Sequence, residues 1–305
     1  MSIDRLIEKI EQKKNPTVFG LDPRWEYIPE FIREEAIAAC GKTNLAITKG
    51  LVDFNKGLID ALCDIVPAVK PQSAYYEMYG LAGLSALAET IAYAKEKGLY
   101  VVLDGKRNDI GKTAEAYAAA YLGKTTAGDI PVVNELESDG LTVNAYLGTD
   151  GIRPFVEACK SDNKIIFVLV KTSNASSGEL QDLLVDGEPI YQKMATLVNG
   201  WGADLVGEKG YSAVGAVVGA TYPKQLTELR KSMPKAYILV PGYGAQGGGG
   251  ADVAGAFDEN GLGALVNSSR GIMCAWQKGD YRPEDYQKAA RDEALKMRDD
   301  ILRYI

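Results

Sequence analysis

Leu103-Asp104-Gly105-Lys106-Arg107-Asn108-Asp109-Ile110 crowds its charges at the end of an apolar run, Tyr100-Val101-Val102-Leu103. That run is mostly β-branched or aromatic, the composition of a strand covered on both faces, as in a parallel sheet. Asp104 and Lys106 follow two residues apart. If the extended backbone persists, their side chains leave the same face with Cα atoms roughly 6.5 Å apart, close enough to share one site. Asp109 has the opposite parity and points elsewhere unless the chain turns; Gly111 and the alanine-rich run after Thr113 suggest that a helix begins there. A blander reading makes Asp104 and Lys106 a solvated ion pair contributing about 0–1 kcal/mol, with Asp109 a helix N-cap. The rest of the chain decides between them.

Upstream, Ile3, Leu6, Ile7 and Ile10 fall on one helical face, so residues 3–13 open the chain as a helix. Thr17-Val18-Phe19-Gly20-Leu21 reads as a first strand ending in Asp22-Pro23, and Ala68-Val69 as a second ending at Lys70-Pro71-Gln72. Helices are expected between them, through Leu51 to Ile65, and again from Leu81 to Lys97. Downstream the rhythm of strand, polar turn and helix continues. Strands are expected at 140–143, ending at Asn144; at 165–170, ending at Lys171-Thr172-Ser173; at 214–218; at 237–240, ending in Pro241-Gly242; and at 264–266, ending at Asn267-Ser268-Ser269-Arg270. A helix with Tyr286, Ala290, Met297 and Ile301 on one stripe closes the chain. Eight strands alternating with helices, with polar groups gathered after most strands, predict a (β/α)₈ barrel with an N-terminal helix and insertions in the βα segments. A doubly wound sheet is the alternative. No composition break divides residues 1–305, so one domain is expected.

The chain's 305 residues, 46% hydrophobic and 25% charged, can bury a large core without disulfide or metal. Its apolar runs are strand-sized and its first residues lack the layout of a signal peptide, which points to a cytoplasmic protein. A formal charge of -7 argues against a nucleic-acid binder. Cys40, Cys63, Cys159 and Cys274 lie far apart and read as free thiols. There is no histidine, so His-based triads and imidazole acid/base chemistry are excluded and proton transfer falls to Lys, Asp, Glu or Tyr.

Gly242-Tyr243-Gly244-Ala245-Gln246-Gly247 matches the dinucleotide glycine pattern, but the next strand ends in neutral Asn267 where a ribose-binding carboxylate is wanted, and too little chain follows to finish such a domain. Three Gly-Lys-Thr sequences lack the first P-loop glycine, having Ala36, Lys106 or Ala118 in its place. A glycine-rich turn after strand seven and an arginine after strand eight are instead where barrels hold a phosphate, with Gln246 a neutral donor and Arg270 the charged fork.

Asp104-Gly105-Lys106-Arg107-Asn108-Asp109-Ile110-Gly111 resembles the D-x-K-x-x-D-I signature of the orotidine 5′-phosphate decarboxylases, and the chain is similar to the longer bacterial branch of that family. The resemblance extends through Phe19-Gly20-Leu21-Asp22, Val69-Lys70-Pro71-Gln72, Val143 to Gly148, Lys171-Thr172-Ser173-Asn174, Val240 to Gln246 and Asn267-Ser268-Ser269-Arg270. It implies a barrel homodimer with shared active sites that converts orotidine 5′-monophosphate to uridine 5′-monophosphate and CO2 without metal or cofactor. It also implies a charged set of Lys70, Asp104, Lys106 and the partner subunit's Asp109, with Lys106 protonating the ring carbanion. By the same resemblance Asp22 and Lys70 hold the ribose, Thr113 comes from the partner subunit, Ser173 meets the pyrimidine, and Gln246 and Arg270 meet the phosphate. Asn144 and Thr172, at the ends of strands four and five, join the binding candidates. The polar run from Ser173 to Gly178 is the expected lid. The alternative is a related barrel that acts on sugar phosphates with Mg²⁺; Lys70 stands where such a site wants another carboxylate.

Overall fold

The structure is a computed structural model that describes residues 1–244 and 247–305. Eight strands form the barrel: β1 Thr17–Leu21, β2 Ala68–Pro71, β3 Tyr100–Arg107, β4 Gly140–Val143, β5 Ile165–Lys171, β6 Ser212–Val218, β7 Ala236–Val240 and β8 Ala264–Ser268. Each pairs in parallel with its sequence neighbour, and β1 pairs with both β2 and β8, Val18 standing opposite Ala68 on one side and Asn267 on the other. That closure excludes the doubly wound sheet, whose edges would stay open.

Both faces of these strands are covered, which is why they read as continuous apolar runs rather than alternating ones. Phe19, Phe167, Tyr100 and Tyr237 are fully buried. Helices Asn44–Leu62, Gly80–Glu96, Gly111–Tyr121, Thr149–Ser161, Ile190–Gly202 and Pro223–Ser232 follow successive strands, as right-handed βα connections require. The closing helix Tyr286–Ile301 buries Tyr286, Ala290, Met297 and Ile301, the expected stripe, together with Ala289 and Ala294.

Helix Ser2–Lys13 buries Ile3, Leu6, Ile7 and Ile10, each worth ~1.5–3 kcal/mol of transfer free energy. Ser2 Oγ lies 2.7 Å from the hydroxyl of Tyr100, the first residue of β3, and Arg5 pairs at 2.5 Å with Asp139, just before β4. The helix therefore covers the end of the barrel where strands begin. This leaves the C-terminal ends of the strands as the accessible mouth.

Two short antiparallel hairpins are additions that apolar periodicity does not announce. One pairs Thr125–Ala127 with Ile130–Val132, and the other pairs Leu184–Val185 with Glu188–Pro189. No helix among the described residues is long and apolar enough to cross a membrane.

Candidate active site

At the end of β3 the Asp104 carboxylate, 8% exposed, takes a lysine on each oxygen. Lys70 Nζ donates to Oδ2 at 2.9 Å and Lys106 Nζ to Oδ1 at 2.6 Å. Burial works against the charge on Asp104, but the two flanking ammonium groups outweigh it and hold the carboxyl well below the usual carboxylate range. Lys70 is also buried; burial works against its proton, yet Asp104 and then Asp22 raise it above the ordinary lysine value.

Asp104 and Lys106 do meet, though not by the regular extended spacing. Lys106 has φ +47°, and the pairing of β3 with β4 shifts register between Leu103 and Arg107. A bulge of this kind re-aims a side chain at a strand end, and a left-handed non-glycine residue there is strained. The structure also shows what sequence parity could not. Thr142 of β4, buried, donates its hydroxyl to Asp104 Oδ1 at 2.8 Å and accepts the Lys106 backbone N–H at 3.0 Å.

A cavity of about 310 Å³ opens above this group, lined by Asp22, Tyr27, Lys70, Tyr75, Asp104, Pro241, Gly242, Tyr243, Asn267, Ser269 and Arg270. Burial raises the Asp22 carboxyl against the pull of Lys70. Among the described residues Asp22 Oδ1 and Asn267 Oδ1 are buried acceptors without a partner, and such atoms are costly unless a ligand or water satisfies them. Gly20 is required beneath them, since a Cβ there would lie 1.8 Å from Ser269 Oγ. Along the rim, Gly242 at φ +103° and Gly244 at φ +72° give the turn after β7 its left-handed steps, and Gly244 N–H donates to Gly248 O at 2.7 Å. Asp300 anchors this loop from the closing helix, accepting the Tyr243 hydroxyl at 2.8 Å and Gly250 N–H at 2.7 Å.

Of the expected site residues, Asp22, Lys70, Asp104 and Arg270 line one cavity, and Lys106 is hydrogen-bonded to it. Gln246 lies outside the described residues. Asp109, Thr113, Asn144, Thr172 and Ser173 do not line the cavity. Asp109 Oδ1 accepts the adjacent Ile110 N–H at 2.8 Å, and Ile110, not Asp109, occupies the N-cap of helix Gly111–Tyr121. Thr113 and Asn144 are exposed. Thr172 turns into its own loop, where its hydroxyl donates to Asn174 Oδ1 at 2.6 Å and its N–H donates to Gln181 Oε1 at 2.9 Å. The segment expected as a lid is ordered as a 3₁₀ turn, Ala175–Ser177, and a short helix, Gly178–Gln181. The sequence does not mark Tyr27, Tyr75 or Thr142, because neither aromatic carries a distinctive spacing and Thr142 reads as an ordinary strand residue. No group of three His, Cys, Asp or Glu side chains among the described residues is placed to hold a metal ion.

A closed (β/α)₈ barrel that gathers a Lys–Asp–Lys array and an arginine at the C-terminal ends of its strands defines an enzyme built around an anionic small molecule. Residues 43–279 match the orotidine 5′-phosphate decarboxylase / HUMPS family, and the chain belongs to it. It is 47% identical over 289 residues to the orotidine 5′-phosphate decarboxylase of Rhodopirellula baltica, with 93% of each chain covered. It is 41% identical over 297 residues to that of Caldicellulosiruptor saccharolyticus, covering 94% of this chain and 93% of the other. Among solved structures, the OMP decarboxylase of Leishmania donovani is similar with a TM-score of 0.70 at 30% identity, over 97% of this chain and 98% of that one.

Proposed function

We propose that this chain decarboxylates orotidine 5′-monophosphate to uridine 5′-monophosphate and CO2, with Lys106 as the proton donor. The observation that carries the residue roles is the Asp104 carboxylate held between two lysines where it lines the cavity. When the carboxylate leaves as CO2, the bond's electron pair stays on the ring carbon, in the ring plane, where the π system cannot take it up. The Lys106 ammonium stabilises that carbanion and then transfers its proton to it, regaining one from solvent afterwards. Unit charges 4 Å apart interact by about 4 kcal/mol at an effective dielectric of 20, so a fixed array can supply a large part of the barrier reduction.

Asp104 faces the substrate carboxylate, an encounter that disfavours the bound ground state and ends when CO2 becomes neutral. The two lysines that keep Asp104 ionised prevent it from escaping that encounter by protonation. Arg270, with Gln246, binds the distant phosphate and offsets the cost. Asp22, whose Oδ1 has no partner among the described residues, and Lys70 take the ribose hydroxyls. Ser173 meets the pyrimidine, and Asn144 and Thr172 complete the rim around bound substrate.

The partner subunit's Asp109 and Thr113 complete each site of a homodimer. Supporting this, Asp109 lies outside its own cavity beside exposed apolar side chains, Ile110 at 56%, Tyr146 at 76% and Leu147 at 47%. Gly151 joins these segments, a Cβ there lying 2.4 Å from Asn108 Oδ1 and 3.2 Å from Leu147 Cβ. The enzyme works as a single-domain barrel in the cytoplasm, without metal or cofactor.

The test mixes the protein with orotidine 5′-monophosphate in excess EDTA and follows loss of orotate absorbance and release of CO2. Turnover is expected, and Lys106→Ala should abolish it while the protein stays folded. A wild-type protein that is inert here but active on sugar phosphates with Mg²⁺ would transfer the assignment to that chemistry.

A further inference from the structure

We propose that Thr142 is a positioning residue for the decarboxylation, its hydroxyl locking the backbone of Lys106 to the carboxylate of Asp104. This rests on the assignment of Lys106 as proton donor. Lys106 departs from the strand at φ +47°, a conformation that costs a residue with a side chain roughly 1–2 kcal/mol and so persists only where its surroundings enforce it. Two hydrogen bonds do so. The Thr142 oxygen accepts the Lys106 N–H at 3.0 Å, and its proton goes to Asp104 Oδ1 at 2.8 Å.

The same Oδ1 receives Lys106 Nζ at 2.6 Å, so a closed ring runs from the lysine backbone through the threonine and the aspartate to the lysine ammonium. Both ends of the Lys106 side chain are thereby referenced to one carboxylate. Thr142 itself is 1% exposed, away from the cavity lining, so it acts through its neighbours rather than on substrate. Without the hydroxyl, the Lys106 N–H loses its acceptor where the sheet register is broken, and Asp104 keeps its two lysines but loses the donor that ties it to β4. The ammonium then samples positions off the line to the ring carbon, and misplacement of this size is costly to chemistry and not to binding of the distant phosphate.

Thr142→Val removes the hydroxyl at constant volume, whereas Thr142→Ser keeps it. In single turnover, Thr142→Val should react ~10-fold or more slowly while its affinity for uridine 5′-monophosphate stays within about 2-fold of wild type, and Thr142→Ser should stay near the wild-type rate. If Thr142→Val does not fold, Thr142→Ser and Thr142→Ala form the comparison, both lacking the γ-methyl, and the serine variant should be ~10-fold faster. A Thr142→Val rate equal to wild type, or equal rates for the serine and alanine variants, with Lys106→Ala inactive, overturns the role of Thr142 and leaves Lys106 standing. An active Lys106→Ala overturns the assignment beneath it.

Discussion

The Lys171 ammonium, fully buried at the end of β5, donates to Asp182 Oδ1 at 2.6 Å. It also reaches Ser177 Oγ at 3.3 Å and lies 4.6 Å from the centre of the Tyr222 ring. One cation thus clasps the whole segment that carries Thr172 and Ser173. Removing Asp182 leaves that buried charge without its counter-ion, while removing both partners does not. Asp182→Ala should cost ~2 kcal/mol in urea denaturation, and adding Lys171→Met should recover part of the loss. Independent, additive costs would dissolve the clasp.

Asp22 gives a pH prediction whose sign follows from its raised carboxyl. A raised acid contributes stability at low pH that is lost as pH rises through its folded value, so at neutral pH its buried charge is a liability. Asp22→Asn should therefore raise the melting temperature at pH 7, by roughly 2–4 °C per kcal/mol relieved. The gain should shrink as pH falls and be smallest below the ordinary carboxyl value of ~3.9, where both states are protonated. Asp104, lowered by its two lysines, has the opposite sign: its stabilisation is present above that value and is lost in acid. The same Asp22→Asn variant should bind substrate more weakly. A lower melting temperature at neutral pH would contradict the sign.

The strands could be read directly because both faces of each are buried, leaving unbroken apolar runs whose ends mark the mouth of the barrel. Thr17–Leu21 and Gly140–Val143 coincide with the sequence reading. Asp104 and Lys106 were legible as a pair from charges placed two residues apart at a strand end, and Lys70 joined them through the family resemblance. The left-handed turn at Lys106 was not, since lysine carries no preference for positive φ and the bulge is set by the neighbouring strand. Nor was Thr142, whose partners lie 38 and 36 residues away and meet it only through the register of β3 and β4. The clasp at Lys171 was hidden for a related reason: a lysine after a strand reads as solvated until Asp182 folds back over it. Tyr27 and Tyr75 enter from βα loops, whose paths periodicity does not encode.

The phosphate role separates two residues of different kinds. Arg270 lines the cavity and is proposed to meet the anion, whereas Asp300 braces the glycine turn through Tyr243 and Gly250. Arg270→Ala should weaken uridine 5′-monophosphate by ~100-fold and uridine little, since a charge-assisted pair is worth ~1.5–3 kcal/mol per bond. Asp300→Ala should weaken the nucleotide by a smaller factor, about 3–10-fold, by loosening the turn without removing the charge. Calorimetric titration with both ligands reads each. Equal losses for nucleotide and nucleoside with Arg270→Ala would refute the phosphate contact.

Asp109 supplies the sharpest test of sharing between subunits, because its carboxylate lies outside its own cavity and accepts Ile110 N–H. If each site takes its last aspartate from the partner, Lys106→Ala and Asp109→Asn chains are each inactive alone for different reasons. Mixing them and allowing subunits to exchange forms heterodimers in which one site collects both mutations and the other is fully wild type. With random exchange, half the dimers are mixed and each holds one good site, so about a quarter of wild-type activity per site should return. The recovery should rise with time of exchange and vanish when the two are assayed without mixing. If Asp109 served its own chain's site, every site in every dimer would carry one mutation, and no amount of exchange would restore turnover.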